Sequence, residues 1–279
     1  MKIGNLWRLT SPLDAWANLS ISLNEDDLIR LKEVFLQAYQ SGNPLKELYP
    51  PENPMSNYSN ERLYSEWARE GIIQSLILIG VYGEGLKISS ISTPQYWVDQ
   101  IIGELLKNAN GELWVSLNHE MPLIAEASPD AFCEALMTSL SVEEKSLMAM
   151  FVEEEAFIGS TSNHTGLLWG LENLAWIPEY LMPVSLILTE LASLDPGGNL
   201  SNRPINSLIE IFKPWHYQTF ASYEIRMEAL AQICKKNQTI GWTLLLSLLP
   251  DAYGIGHYNH RMRWRLFNKN LEGTYTYEE

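Results

Sequence analysis

Only two cysteines occur in the 279 residues, Cys133 and Cys234, about a hundred positions apart and each inside an apolar helical pattern. That is no disulfide framework, and the plain expectation is a pair of reduced core thiols. Long hydrophobic runs are missing as well. The stretch Gly71 to Val81 falls short of the 18–20 residues a membrane span needs and contains polar side chains, so no transmembrane helix is predicted. The N-terminus has no apolar core followed by a small-residue cleavage site, which argues against a secretory signal and for a cytoplasmic address. Positive charge is scarce, with 19 basic against 34 acidic residues and a net charge of −15. An acidic surface repels phosphate backbones, so nucleic acid is not an expected partner.

Catalytic signatures are absent too. There is no G-x-x-x-x-G-K-S/T loop for a nucleotide, no H-E-x-x-H or paired-cysteine metal spacing, and no G-x-S-x-G elbow. Tyr82-Gly-Glu-Gly85 follows a helical pattern and lacks a third glycine, so it reads as a turn. His257 and His260 are spaced for one helix face, but Gly254 and Gly256 oppose a helix there, so no metal or other cofactor is assigned. Glu153 to Glu155 reads as a solvated charge run closing a helix.

What remains is helix-forming pattern almost throughout, on a chain that is 46% apolar and long enough to bury a sizeable core. Ser11-Pro12, Asn24, Thr93-Pro94, Asn110, Ser128-Pro129, Pro178, Pro204 and Ser222 supply helix starts, and Ser141 to Glu144 reads as a capping box for a further helix. One helix is expected from about Glu112 to Ala125. The proline-rich Tyr49 to Pro54 reads as an extended linker, giving a possible sub-boundary near 49–59, and an irregular tail is expected over 250–279. About a dozen helices at roughly 45 residues per pair fit the period of HEAT-type repeats. One echo at an offset of 49 supports stacking, Pro129-Asp-Ala-Phe132 against Pro178-Glu-Tyr-Leu181. The expected fold is therefore all-α, a single domain over 1–279 of stacked antiparallel helical hairpins. It is read as a HEAT/TPR-like α-solenoid or an irregular helical array.

Charge divides along the chain: residues 1–200 hold 27 acids and 10 bases, residues 201–279 only 7 and 9. Arg261, Arg263, Arg265 and Lys269 form the one basic cluster, read as a tail or a contact for the acidic body, with a phosphate site as the sharper alternative. Trp169 and Trp176, seven apart, share one helix face, read first as core between stacked helices and alternatively as a partner or sugar groove. Carboxylates that could pair in a glycoside-processing enzyme are Asp130 with Glu134 and Glu172 with Glu179. The densest polar and aromatic stretch is 195–219. It reads as a loop locking helical hairpins together, with Arg203 in reach of Asp195. The sharper alternative is a recognition loop in which Arg203, Trp215 and His216 bind a peptide or carboxylate.

The runs His164 to Trp176 (HTGLLWGLENLAW), Pro178 to Leu181, Leu194 to Asn199, Asn202 to Leu208, Ile211 to His216 and Gly241 to Pro250 together resemble a segment of very long bacterial proteins. These are antiviral-type STAND ATPases and related defence proteins. The resemblance covers about residues 160–250 and implies a fragment of a larger parent, taken from its long helical sensor. An effector domain and an ATPase would precede it, and a protein would be its partner. No catalytic residue carries over, because no ATPase or nuclease motif lies in the chain. The function implied is a non-catalytic interaction module of a defence or signalling protein.

Overall fold

The computed structural model describes residues 2–3, 6–7, 9–40, 64–86, 93–155, 160–216, 218–250 and 258–265. The expected linker at 49–54, residues His257 and Lys269, and most of the 250–279 tail lie outside them. The described residues are predominantly helical. Their β structure is two antiparallel pairs of two residues per strand, β1 (Lys2–Ile3) with β2 (Leu6–Trp7) and β3 (Glu154–Glu155) with β4 (Ser160–Thr161). No helix among them is long and apolar enough to cross a membrane.

The chain falls into two compact units, Met1–Leu105 and Leu106–Glu279. In the first are α1 (Pro12–Leu19), α2 (Glu25–Gln40), α3 (Glu66–Tyr82) and nearly all of α4 (Pro94–Leu106). Sequence sets their starts: the hydroxyls of Ser11 and Ser65 accept the main-chain N–H groups of Asp14 and Ala68. Asn24 and Asp27 cap α2 reciprocally, each side chain accepting the other's main-chain N–H. Leu28, Phe35, Ala38 and Tyr39 of α2 are buried, as are Ile73, Leu76 and Ile77 of α3. Arg69 sits among them, donating to the Ala38 carbonyl at 2.7 Å and lying 4.0 Å over the Tyr39 ring. A cation there answers the partial negative charge of the α2 C-terminus.

The second unit holds α5 (Gly111–Ser116), α6 (Met121–Ala127), α7 (Pro129–Ser141), α8 (Thr165–Ala175), α9 (Pro178–Leu194), α10 (Pro204–Phe212), α11 (Tyr223–Lys236) and α12 (Gln238–Ser247). Helix α8 lies at its centre, against α6, α9 and α10, and nine of its eleven residues are buried. Gly166 makes the approach to the α6 side possible. A Cβ there would lie 1.7 Å from the Asn118 carbonyl oxygen, and its N–H donates to Asn118 Oδ1 at 2.9 Å.

Two expected helices take other forms. The one from Glu112 to Ala125 is divided into α5, a 3-10 turn over Asn118–Glu120, and α6. Pro122 has no N–H to continue the ladder, so the chain restarts there. The capping box at Ser141 to Glu144 does not open an α-helix. Ser141 ends α7 with its hydroxyl turned back to the Thr138 carbonyl, and a 3-10 helix follows at Ser146–Phe151. The echoing segments Pro129–Phe132 and Pro178–Leu181 do both begin helices with proline in the first turn, and Tyr180 donates its hydroxyl to Asp130 at 2.7 Å across them.

Both cysteines are free. Burial, with Asp130 nearby, pushes the Cys133 thiol up to about 12. At pH 8 Cys133 should therefore resist a thiol reagent in the folded protein and react only on denaturation. Stoichiometric labelling of Cys133 in the native state would contradict this burial.

Candidate functional site

Arg203 is the N-cap residue of α10, and Trp215 and His216 lie just beyond that helix's other end, roughly 15 Å of helix away. The structure therefore does not gather the three into one recognition loop. Arg203 is buried and fully engaged. Its guanidinium bonds Glu153 Oε1 through Nη2, Asp195 Oδ1 through Nη1 at 3.1 Å, and the Leu200 carbonyl through Nε at 3.2 Å. Glu153 is thus no solvated charge. The main-chain N–H of Asn199 holds its carboxyl below the ordinary range, helped by Leu200 N–H and the Arg203 charge and opposed by partial burial. Gly198 permits the contact: its φ is +147°, and a Cβ would come within 2.0 Å of Glu153 Oε1.

His164, fully buried, extends this lock. It stacks on Phe151 with centroids 4.8 Å apart, and Nε2 lies 2.6 Å from the Asn202 carbonyl. A carbonyl only accepts, so Nε2 carries the proton; Nδ1 lies 2.5 Å from the Ser162 hydroxyl oxygen, and that hydroxyl also reaches the Met150 carbonyl at 2.9 Å. Behind it Glu172 of α8 accepts from Ser207 of α10 at 2.7 Å. The segments 164–176, 194–199 and 202–208, which carry the sequence resemblance, interlock here. Beside them is an open cleft of about 510 Å³ lined by Met148, Phe151, Val152, Leu194 and Gly197, whose one carboxylate is Glu153.

Asp130 and Glu134 are exposed on α7, and of the second pair Glu172 is buried while Glu179 is exposed. Among the described residues no group of three His, Cys, Asp or Glu side chains could hold a metal ion.

The densest recognition chemistry involves residues 258–265, a strap without helix or strand that crosses the helices of the second unit. Glu126 of α6, 1% exposed, accepts three successive main-chain N–H groups: Arg263 at 3.1 Å, Trp264, and Arg265 at 2.8 Å. The Arg265 guanidinium donates to the carbonyls of Glu126 and Ala127, covering the α6 C-terminus. Further along, Trp176 Nε1 donates to the His260 carbonyl at 2.9 Å, and Asn259 N–H donates to Gln218 Oε1 at 3.2 Å. The His260 ring stacks on Trp169 at 4.1 Å, and the Arg261 guanidinium lies 4.0 Å over Trp176. Trp264 is buried.

Trp176 is a core residue as its spacing suggests, while Trp169 is 38% exposed, and the ring contacts made to the pair come from the chain's own later segments: His260 on Trp169, and Arg261 and Phe220 on Trp176. Two members of the basic cluster, Arg261 and Arg265, are the cations that make the contact. His216, edge-on to Tyr258 at 4.6 Å and hydrogen-bonded to Gln218, borders this strap. Trp215 is 41% exposed. Glu126 itself gives no sequence signal, being one acid in an apolar helix whose partner lies 138 residues away.

Burial raises the Glu172 pKa, opposed by the Ser207 hydroxyl and the His260 main-chain N–H, with Glu210 adding to the rise. It lowers those of His164 and His260. The unfolded histidines then bind protons that the folded ones refuse. The stability they contribute is fully present above about pH 6.5 and is lost as pH falls below that value. Urea midpoints measured from pH 7.5 down to 5.5 should decline, and His164→Gln should flatten the part of the slope that its ring supplies. An unchanged slope in that variant would assign the pH dependence elsewhere. No protein-family model, curated protein or solved structure matches this chain.

Proposed function

We propose that the chain is a non-catalytic protein-interaction module whose second unit recognises an irregular segment of a partner protein. The observation that supports this reading is the strap. A helical face holds eight residues of irregular chain through main-chain hydrogen bonds, a buried carboxylate and two tryptophans. Main-chain bonding supplies affinity, while stacked rings and pockets select side chains. In this reading the helices form a stacked, HEAT/TPR-like array, supported by the paired echo helices α7 and α9. The parent is a cytoplasmic bacterial defence or signalling protein of the kind the sequence resembles, and partner binding there shifts the attached domains between two states.

The test is selection of random twelve-residue peptides on the full chain. Selected sequences should converge on a common pattern and lose binding when Trp169 is replaced by alanine. Failure to converge, or convergence indifferent to Trp169→Ala, would sink the reading.

A further inference from the structure

The strap is a chemically unusual piece of this protein. Residues 106–250 carry 17 acids and 7 bases, whereas 258–265 carry three arginines and no acid. Its hold on the body is directed at the main chain at five of its eight residues. Asn259, Arg263, Trp264 and Arg265 donate their N–H groups, and His260 both donates N–H to Glu172 and accepts from Trp176. The receiving groups belong to three separate stretches, Glu126 on α6, Trp169 and Glu172 on α8 with Trp176 at its C-cap, and Gln218 between α10 and α11. All but Trp169 are at least nine-tenths buried.

Two buried carboxylates whose bonds to the strap are main-chain amides make a surface that reads direction and register. Glu126 requires three consecutive free N–H groups; Glu172 and Trp176 require a donor and an acceptor on one residue three positions earlier. The side-chain selection is as definite. A flat ring or imidazole fits Trp169, a guanidinium fits the face of Trp176, an indole fills the place of Trp264, and a second guanidinium closes the α6 carbonyls. The pattern is aromatic-Arg-x-x-Trp-Arg, with a bend at Arg263 and Trp264 that turns three successive N–H groups toward one carboxylate.

We propose that this groove is a binding site for an irregular, arginine- and aromatic-rich segment of a partner protein, and that residues 258–265 occupy it in cis as the competing ligand. The inference rests on the peptide-recognition reading above and names the ligand class and the control of that site. An arriving segment of the same pattern displaces the strap, meets the same amide-reading carboxylates, and releases the chain around 258–265 from the body. Occupation in cis makes the resting module selective, because only a segment that matches the strap's chemistry competes with it.

The experiment uses the full chain with a protease site placed within 251–257, folded first and cut afterwards. A fluorescent peptide with the sequence of Tyr258 to Arg265 is then added. Saturable uptake is expected, competed by the unlabelled peptide, weakened about tenfold or more by Glu126→Gln, and abolished when the Arg263 to Arg265 amides of the peptide are N-methylated. Helical circular dichroism should be unchanged throughout the exchange. If cutting or exchange collapses the helical signal, the strap is an integral part of the core and the proposal falls. If the helices persist but no peptide enters, or the methylated peptide enters equally well, it falls as well. Convergent peptide selection with no competition from the strap sequence would leave the interaction reading standing while removing this one.

Discussion

Gly166→Ala is expected to destabilise the second unit by about 3–4 kcal/mol, lowering its melting temperature by roughly 10 °C. Elsewhere the same substitution usually helps, by about 0.4–1 kcal/mol, because alanine narrows the unfolded ensemble. At Gly166 the added methyl would lie 1.7 Å from a main-chain oxygen and 2.6 Å from the side-chain oxygen of Asn118. Neither is the loose end of a flexible chain. To admit the methyl, α8 must move off the 3-10 turn before α6, breaking the Gly166 N–H to Asn118 bond and loosening the Leu167 to Leu174 core. Gly103→Ala, where a Cβ meets nothing within 4 Å, is the control and should be neutral or stabilising. Equal melting temperatures for wild type and Gly166→Ala would mean that α8 does not approach Asn118 as described.

Glu126→Ala is the second large effect, expected at about 3–5 kcal/mol for the docked strap, against about 1–2 for Glu126→Gln. Alanine removes the acceptor for three N–H groups at once, and the strap lets go as a unit because Trp264 leaves its buried site with it. Glutamine retains one oxygen for Trp264 and Arg265 but turns an amide nitrogen toward the Arg263 N–H, where two donors meet. Hydrogen exchange at the amides of residues 263–265 reads this directly. Protection should be lost in Glu126→Ala and reduced in Glu126→Gln, with the amides of α9 unaffected. Full protection of those three amides in Glu126→Ala would show that something other than this carboxylate holds the strap.

Helix starts were legible because they are local. Ser11, Asn24, Asn110 and Ser222 each cap the helix their sequence announces, and Pro129, Pro178 and Pro204 sit in first turns as expected. Arg203 with Asp195 was also readable, since both flank one glycine turn and are eight residues apart. What escaped was the third member, Glu153, because its charge run looks like any solvated one until Gly198 brings the loop beside it. The strap escaped for a different reason. A segment with no period and no secondary structure is defined by its receptor, and that receptor's parts come from three distant stretches. Trp169 and Trp176 gave the face but not its occupant, since a tryptophan pair has the same spacing whether a helix or a peptide covers it.

Glu126 and Trp264 stand 138 residues apart in the chain. At a synthesis rate of about 5–20 residues per second, roughly 7–30 s separate their appearance. Helices α6 to α10 are complete well before the strap is made, so every copy spends that interval on the ribosome with the carboxylate of Glu126 uncovered. Docking of a short segment is far faster than this wait. During manufacture, then, the groove stands open until the strap arrives, and under the proposed recognition role a matching segment already at hand has a head start over the strap.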